Sequence, residues 1–203
     1  MRKHLLTLVA ASIAALAPLA ASAQDTGNWL IRGRVLHLDP ANKDSTGLGL
    51  SVNSKVFPEV DISYFFSPNF AAELILTYPQ KHDIRSNGNN IGTLKHLPPT
   101  LSLQYHVTGM SFRPYVGAGI NYTNFSAVKF APAVATALGA NVDRSSFGLA
   151  IQAGVDVPVG GGWLLNLDVK KVQIRTDVTS FGNKVGEFKV DPVLVSVGIG
   201  KRF

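Results

Sequence analysis

From Trp29 onward, apolar and polar positions alternate with a period of two in eight separate stretches. In the first, Trp29, Ile31, Gly33 and Val35 alternate with Leu30, Arg32, Arg34 and Leu36. Stretches 56–66, 70–78, 97–107, 112–122, 147–157, 163–169 and 193–203 repeat the arrangement. A β-strand sends successive side chains to opposite faces, so each stretch has one clean apolar face and one mixed face. Its length is that of a strand crossing a bilayer at a tilt, roughly 9–11 residues. Aromatics sit near the ends of the apolar parity, as a lipid-facing band with interfacial girdles requires. Most charges fall on the mixed parity, the reverse of a water-soluble barrel. Lys171 is the exception, an outward lysine expected at the headgroup level. The pattern predicts an all-β fold, an eight-stranded antiparallel transmembrane β-barrel.

The connections alternate too. Ser67-Pro68-Asn69, Thr108-Gly109-Met110-Ser111 and Gly160-Gly161-Gly162 are tight turns, whereas 39–54, 81–94, 125–145 and 176–191 are long. Short periplasmic turns and longer extracellular loops are the asymmetry expected of an outer-membrane barrel, with both termini on the periplasmic side.

The amino end supports export. Arg2, Lys3 and His4 precede an apolar run that Pro18 breaks, and Ala21-Ser22-Ala23 is a small-residue cleavage site. Residues 1–23 therefore read as a cleaved secretory signal peptide, leaving 24–203 as the barrel domain. No later apolar run reaches the ~20 residues of a membrane-spanning helix. With no cysteine, the chain has neither disulfides nor a zinc-thiolate site. The net charge of +6 comes from scattered residues rather than a basic stripe, which argues against nucleic acid. No cofactor is expected. His37, His82, His96 and His106 lack metal-ligand spacing, and Ser102 and His106 lie too far apart along one strand for a nucleophile–base pair, so an enzyme is not expected.

The residues resemble the OmpW family along essentially the whole mature length. The resemblance is carried by Trp29-Leu30-Ile31-Arg32-Gly33-Arg34, by Leu97-Pro98-Pro99-Thr100-Leu101, and most specifically by Phe112-Arg113-Pro114-Tyr115-Val116-Gly117-Ala118-Gly119-Ile120-Asn121-Tyr122-Thr123. Trp163-Leu164-Leu165-Asn166-Leu167-Asp168-Val169-Lys170, Asp191-Pro192 and Lys201-Arg202-Phe203 agree as well. Lys171, where the family more often has an aromatic or apolar residue, and an alanine-rich third long loop depart from it. The resemblance implies a bacterial outer-membrane barrel that passes small hydrophobic molecules sideways through its wall. It also implies that Phe203 is read by the barrel-assembly machinery.

Some inward-parity positions are apolar, and the solute pathway is expected to use Leu36, Leu38, Phe57, Ile75 and Val172. The same residues also suit an ordinary filled core, since eight strands leave little internal space. Pro79, Pro98 and Pro99 gather at one end of two adjacent strands, where proline cannot donate to the ladder. They mark an expected lateral gate between 78–80 and 96–99, although proline is also common at ordinary strand starts. Helical spacing of Phe130, Val134, Ala137 and Leu138 predicts a short amphipathic turn within 131–140. Lys129, Arg144 and Lys171 are placed to meet lipopolysaccharide phosphates. The alternative function is a structural or receptor-like outer-membrane barrel with a plugged interior, acting through its extracellular loops; under either reading a monomer is expected.

Overall fold

The computed structural model describes residues 27–203; the expected leader falls outside them. The described residues form β1 (Trp29–Asp39), β2 (Lys43–Asp44), β3 (Leu50–Val52), β4 (Lys55–Phe65), β5 (Phe70–Leu76), β6 (Gln80–Ser86), β7 (Asn89–Leu97) and β8 (Thr100–His106). These are followed by β9 (Arg113–Phe130), α1 (Pro132–Leu138), β10 (Ala140–Val142), β11 (Ser145–Gly160), β12 (Trp163–Val172), β13 (Arg175–Ser180), β14 (Asn183–Lys189) and β15 (Val193–Arg202).

Eight of these strands close into a ring, in the order β1-β4-β5-β8-β9-β11-β12-β15, with β15 returning to β1. Every pair in the ring is antiparallel. The chain closes where Leu30–Asp39 lies against Arg202–Val193, and Trp29 and Phe203 exchange both backbone hydrogen bonds, at 3.0 and 2.9 Å. Closure leaves no open edge, the only arrangement in which strands can cross hydrocarbon.

The outward parity is the expected one. Trp29, Ile31, Gly33 and Val35, and likewise Val195, Val197 and Ile199, are exposed while the alternate residues are buried or partly so. At the end carrying the termini and short turns, a girdle gathers Trp29, Tyr64, Phe70, Tyr105, Phe112, Trp163 and Phe203. Toward the long-loop end, Tyr78, Tyr122 and Phe147 lie on the outer surface.

The long connections are not loose loops. β7 pairs with β9 above the point where β8 leaves it, β6 pairs with β7, and β3 with β6. β10, β13, β14 and β2 form a second, four-stranded sheet. The alternation expected for eight strands thus extends beyond the lipid band, where pairing continues without a hydrophobic outer face.

Inside, the core is layered. At mid-height Arg32 grips Asp156 with two hydrogen bonds, Nε to Oδ1 at 3.1 Å and Nη2 to Oδ2 at 2.6 Å, and reaches Asp61 at 2.9 Å. Arg34 contacts Asp61 at 2.9 Å, Glu73 at 3.1 Å and Glu59 at 3.2 Å. Lys170 meets Glu59 at 3.0 Å and Asp168 at 3.3 Å. Gln152 donates to Glu73 at 2.6 Å, Tyr115 to Asp168 at 2.8 Å and Asn166 to Asp156 at 2.8 Å. β15 leaves room for this layer: its inward Gly198 and Gly200 lie opposite Arg34 and Arg32, and a Cβ on either would come within 2.9 Å of the arginine Cγ. Below lies a small apolar floor of Leu30, Phe65, Ala71 and Leu164, with His106 tilted against Phe65 and stacked on Tyr115. Above lies one large apolar cluster that continues into the outer sheets.

Removing one partner from a buried ion network strands the other charge, which costs about 3–5 kcal/mol. Asp156→Ala is therefore expected to lose about that much stability, read as an earlier midpoint in urea unfolding of the refolded barrel. A loss below about 1 kcal/mol would show that the layer does not hold the barrel together.

Candidate functional site: an apolar lumen beside an unpaired stretch of wall

The upper half of the lumen contains a cavity of about 20 Å³, room for about one water. Its walls include Leu36, Leu38, Phe57, Ile75 and Val172, the five inward positions that the sequence marks as a pathway. Ile174, Pro192 and Leu194 complete the apolar lining, and Pro98 and Thr77 face it from the wall. Its charged residues, Glu59 and Lys170, are paired with each other and belong to the charged layer. The cavity therefore stands on a closed electrostatic floor. A wider cleft of about 740 Å³ opens at the short-turn end, lined by Asn28, Phe65, Met110, Arg113 and Arg202 among others. The charged layer lies between it and the apolar lumen.

Nearer the long loops a second cavity of about 40 Å³ is walled by Leu50, Ile84, Leu94, Val142, Val178 and Phe188, with Val134 and Leu138 of α1 at its rim. Buried members of both linings belong to one contiguous apolar cluster, together with Phe125 and Val190. The predicted helical turn is present as α1: a proline starts it, and Gly139 ends it in the left-handed region at φ 50°. None of its residues is buried, so it covers the mouth as a thin lid rather than a packed element. On the opposite side Asp44 organises the β2–β3 connection, accepting from Thr46 N at 2.9 Å, Thr46 Oγ1 at 2.7 Å and Leu50 N at 3.0 Å. Partial burial pushes this carboxyl up, but these hydrogen bonds outweigh it and hold it below the usual carboxylate range.

The wall beside the lower cavity is interrupted. β5 and β6 form one line of chain, and β7 and β8 another. These lines pair up to Ile75 opposite Thr100 and resume at Gln80 opposite His96. Between those rungs, residues 76–79 and 97–99 make no ladder. The expected gate between 78–80 and 96–99 is thus closed at its top, where Gln80 and His96 pair, and it extends lower, to Leu76. β4 pairs with β5 only as far as Val60 opposite Leu76, and above that Thr77 Oγ1 donates to Pro58 O at 3.1 Å.

The two sides of the interruption are held differently. Asn121 on β9 is fully buried and its Nδ2 donates to Pro98 O at 3.2 Å, Pro99 O at 3.1 Å and Thr100 Oγ1 at 2.9 Å. Tyr122 N adds a bond to Pro99 O at 3.1 Å. The Pro98–Pro99 side is consequently tied to β9, and the side carrying Pro79 is not. The sequence alone gave no reason to select Asn121, because its partners lie more than twenty residues away.

Other sequence expectations take a different place. His82 and His96 stack at 4.5 Å between ring centroids inside the β6–β7 hairpin, although nothing in their spacing suggests it. Lys171 keeps the outward parity, paired opposite Val193, and its Nζ donates to the carbonyl of Asp191. Phe203 is exposed in the girdle beside the chain closure.

Residues 25–203 match the OmpW family. An uncharacterized outer-membrane protein of Sinorhizobium fredii is 40% identical over 86% of this chain and 80% of its own length. Outer membrane protein W of Vibrio cholerae is 30% identical over 95% of this chain and 96% of its own. Among solved structures, the outer membrane protein OprG of Pseudomonas aeruginosa superposes with a TM-score of 0.76 at 28% identity, covering 87% of this chain and 96% of that one. With the closed ring, the outward apolar band and the matched length all in agreement, the chain belongs to the OmpW family of outer-membrane β-barrels.

Proposed function

We propose that this barrel lets small hydrophobic molecules leave the aqueous side of the outer membrane and enter its hydrocarbon. The long-loop end faces outward and both termini face the periplasm, after removal of residues 1–23. A solute gathers under α1, passes through the apolar upper lumen, and exits sideways between 76–79 and 97–99. The observation that carries this reading is a coincidence of position: the apolar cavity rests on the charged layer at the level where the wall loses its ladder. The movable leaf is the segment around Pro79, since Pro98 and Pro99 are fastened to β9. Burying apolar surface is worth about 25 cal/mol per Å², so a solute hiding ~100 Å² gains about 2.5 kcal/mol in such a lumen. A relative from Pseudomonas aeruginosa, 26% identical over 70% of this chain and 69% of its own length, is named "Dibenzothiophene metabolism operon protein PahQ". A polycyclic, sulfur-containing aromatic is the kind of solute this lumen suits.

A second reading, a receptor-like barrel, draws on the exposed Leu138, Phe181 and Val185 near the long-loop end. It requires no flux. Uptake of a neutral aromatic into cells or liposomes separates the two. Neutral apolar solutes are expected to enter faster with the barrel present and their charged analogues not; equal rates with and without it would reject the facilitator.

Restoring backbone donors closes the gap. Pro98→Val with Pro99→Val is expected to cut uptake of the same aromatic severalfold while leaving the folded fraction unchanged. Unaltered uptake would remove the lateral exit from the mechanism.

A further inference from the structure

The β6–β7 hairpin is two-faced. Its inner side carries His82, Ile84, Leu94 and His96, all buried. Its outer side carries Lys81, Arg85 and Lys95, all exposed, and Lys129 continues the surface on β9. Lys81 and Lys95 are direct cross-strand partners, which puts their Cα atoms roughly 4.5–5.5 Å apart. Like charges in that position destabilise a sheet. Lys129 lies one rung up, opposite Thr93, which in turn faces Asp83. Among the described residues Asp83 is the one carboxylate on this face, and within them neither it nor any of the four cations makes an ion pair. Elsewhere outside the lumen, Arg175, Lys184 and Lys189 each have a carboxylate within 3.4 Å. This row of four cations against one carboxylate stands immediately above the outer aromatics Tyr78 and Tyr122 and the exposed aliphatics Leu76, Leu101 and Ile120.

We propose that this face binds a phosphorylated, acylated glycolipid of the outer leaflet. Its phosphates bridge Lys81 and Lys95 and reach toward Lys129 and Arg85, while its acyl chains run down the aliphatic wall. Charge complementarity selects the headgroup, and the wall below selects a lipid over a free anion. The site rests on the outward orientation of the long loops given above, but not on transport.

The test uses the full mature barrel in detergent with bisphosphorylated lipid A as probe, and its enzymatically dephosphorylated form and inorganic phosphate as comparison arms. At about 1 kcal/mol for each basic residue near an anionic surface, each lysine removed weakens binding about fivefold. Lys81→Gln with Lys95→Gln is expected to lose roughly the product of two such factors. Lys184→Gln with Lys189→Gln, matched in charge and placed on another sheet, is expected to bind as the parent does. Dephosphorylated lipid A is expected to bind the parent weakly, and millimolar phosphate to leave lipid binding intact. Equal losses for both double variants, binding indifferent to the phosphates, or full competition by inorganic phosphate would each overturn the site. Labelling whole cells with a membrane-impermeant amine reagent reads the orientation separately: unlabelled Lys81 and Lys95 would remove the outward loops without touching the binding result.

Discussion

Hydrocarbon offers no partner to a backbone amide, and this single restriction explains most of the molecule. Each of the eight ring strands pairs on both sides, so the wall satisfies itself. Where the ladder lapses, at residues 76–79 and 97–99, three prolines have already removed donors that would otherwise be orphaned. The carbonyls left behind at Pro98 and Pro99 are met by the Asn121 amide and the Tyr122 N–H. The interruption is built so that its β9 side is satisfied and stationary. Its β5 side is held by much less, with Thr77 bridging to Pro58.

Closing eight strands also fixes the diameter, and a narrow lumen has to be filled. Polar side chains sent inward are then out of reach of bulk water and must pair with one another. The inward parity does this in one layer, where Arg32, Arg34 and Lys170 interleave with Glu59, Asp61, Glu73, Asp156 and Asp168. Because the charges are collected at mid-height, the space above them is free to be aliphatic. An apolar chamber and a charged plug are thus two results of one sorting.

The ring was legible because the lipid imposes a period of two on every strand, and that signal is local: Val35, Val195 and Val197 announce their face without knowing their neighbours. The five apolar residues that line the lower cavity were legible for the same reason, as apolar side chains on the inward parity. What joins distant stretches was not. Arg32 and Asp156 are 124 positions apart, and only the ring order brings them together. The inward parity of Arg32, Arg34, Asp61, Asp156 and Lys170 was there to be read, but their common height depends on register. The strands β6 and β7 were hidden because their outer face is basic instead of apolar, so residues 81–94 look like loop. The His82–His96 stack follows from that hidden pairing, and the Asn121 contacts from the register of β8 against β9.

For the proposed route, magnitudes favour a sideways exit from the upper chamber over an axial one. Passing down the axis means separating buried pairs such as Lys170–Glu59, and stranding even one buried charge costs about 3–5 kcal/mol. Passing sideways exchanges one apolar surrounding for another, so the transfer term of about 25 cal/mol per Å² does not have to be surrendered. The remaining cost is to move a leaf with few bonds across its seam, at a level where Thr77 and Pro98 already face the cavity. The small resting volume is consistent with this. Aliphatic side chains can shift rotamer without giving up a partner, whereas separating a paired buried charge leaves both groups unsatisfied. The aliphatic half of the lumen is the half that lies beside the interrupted stretch of wall.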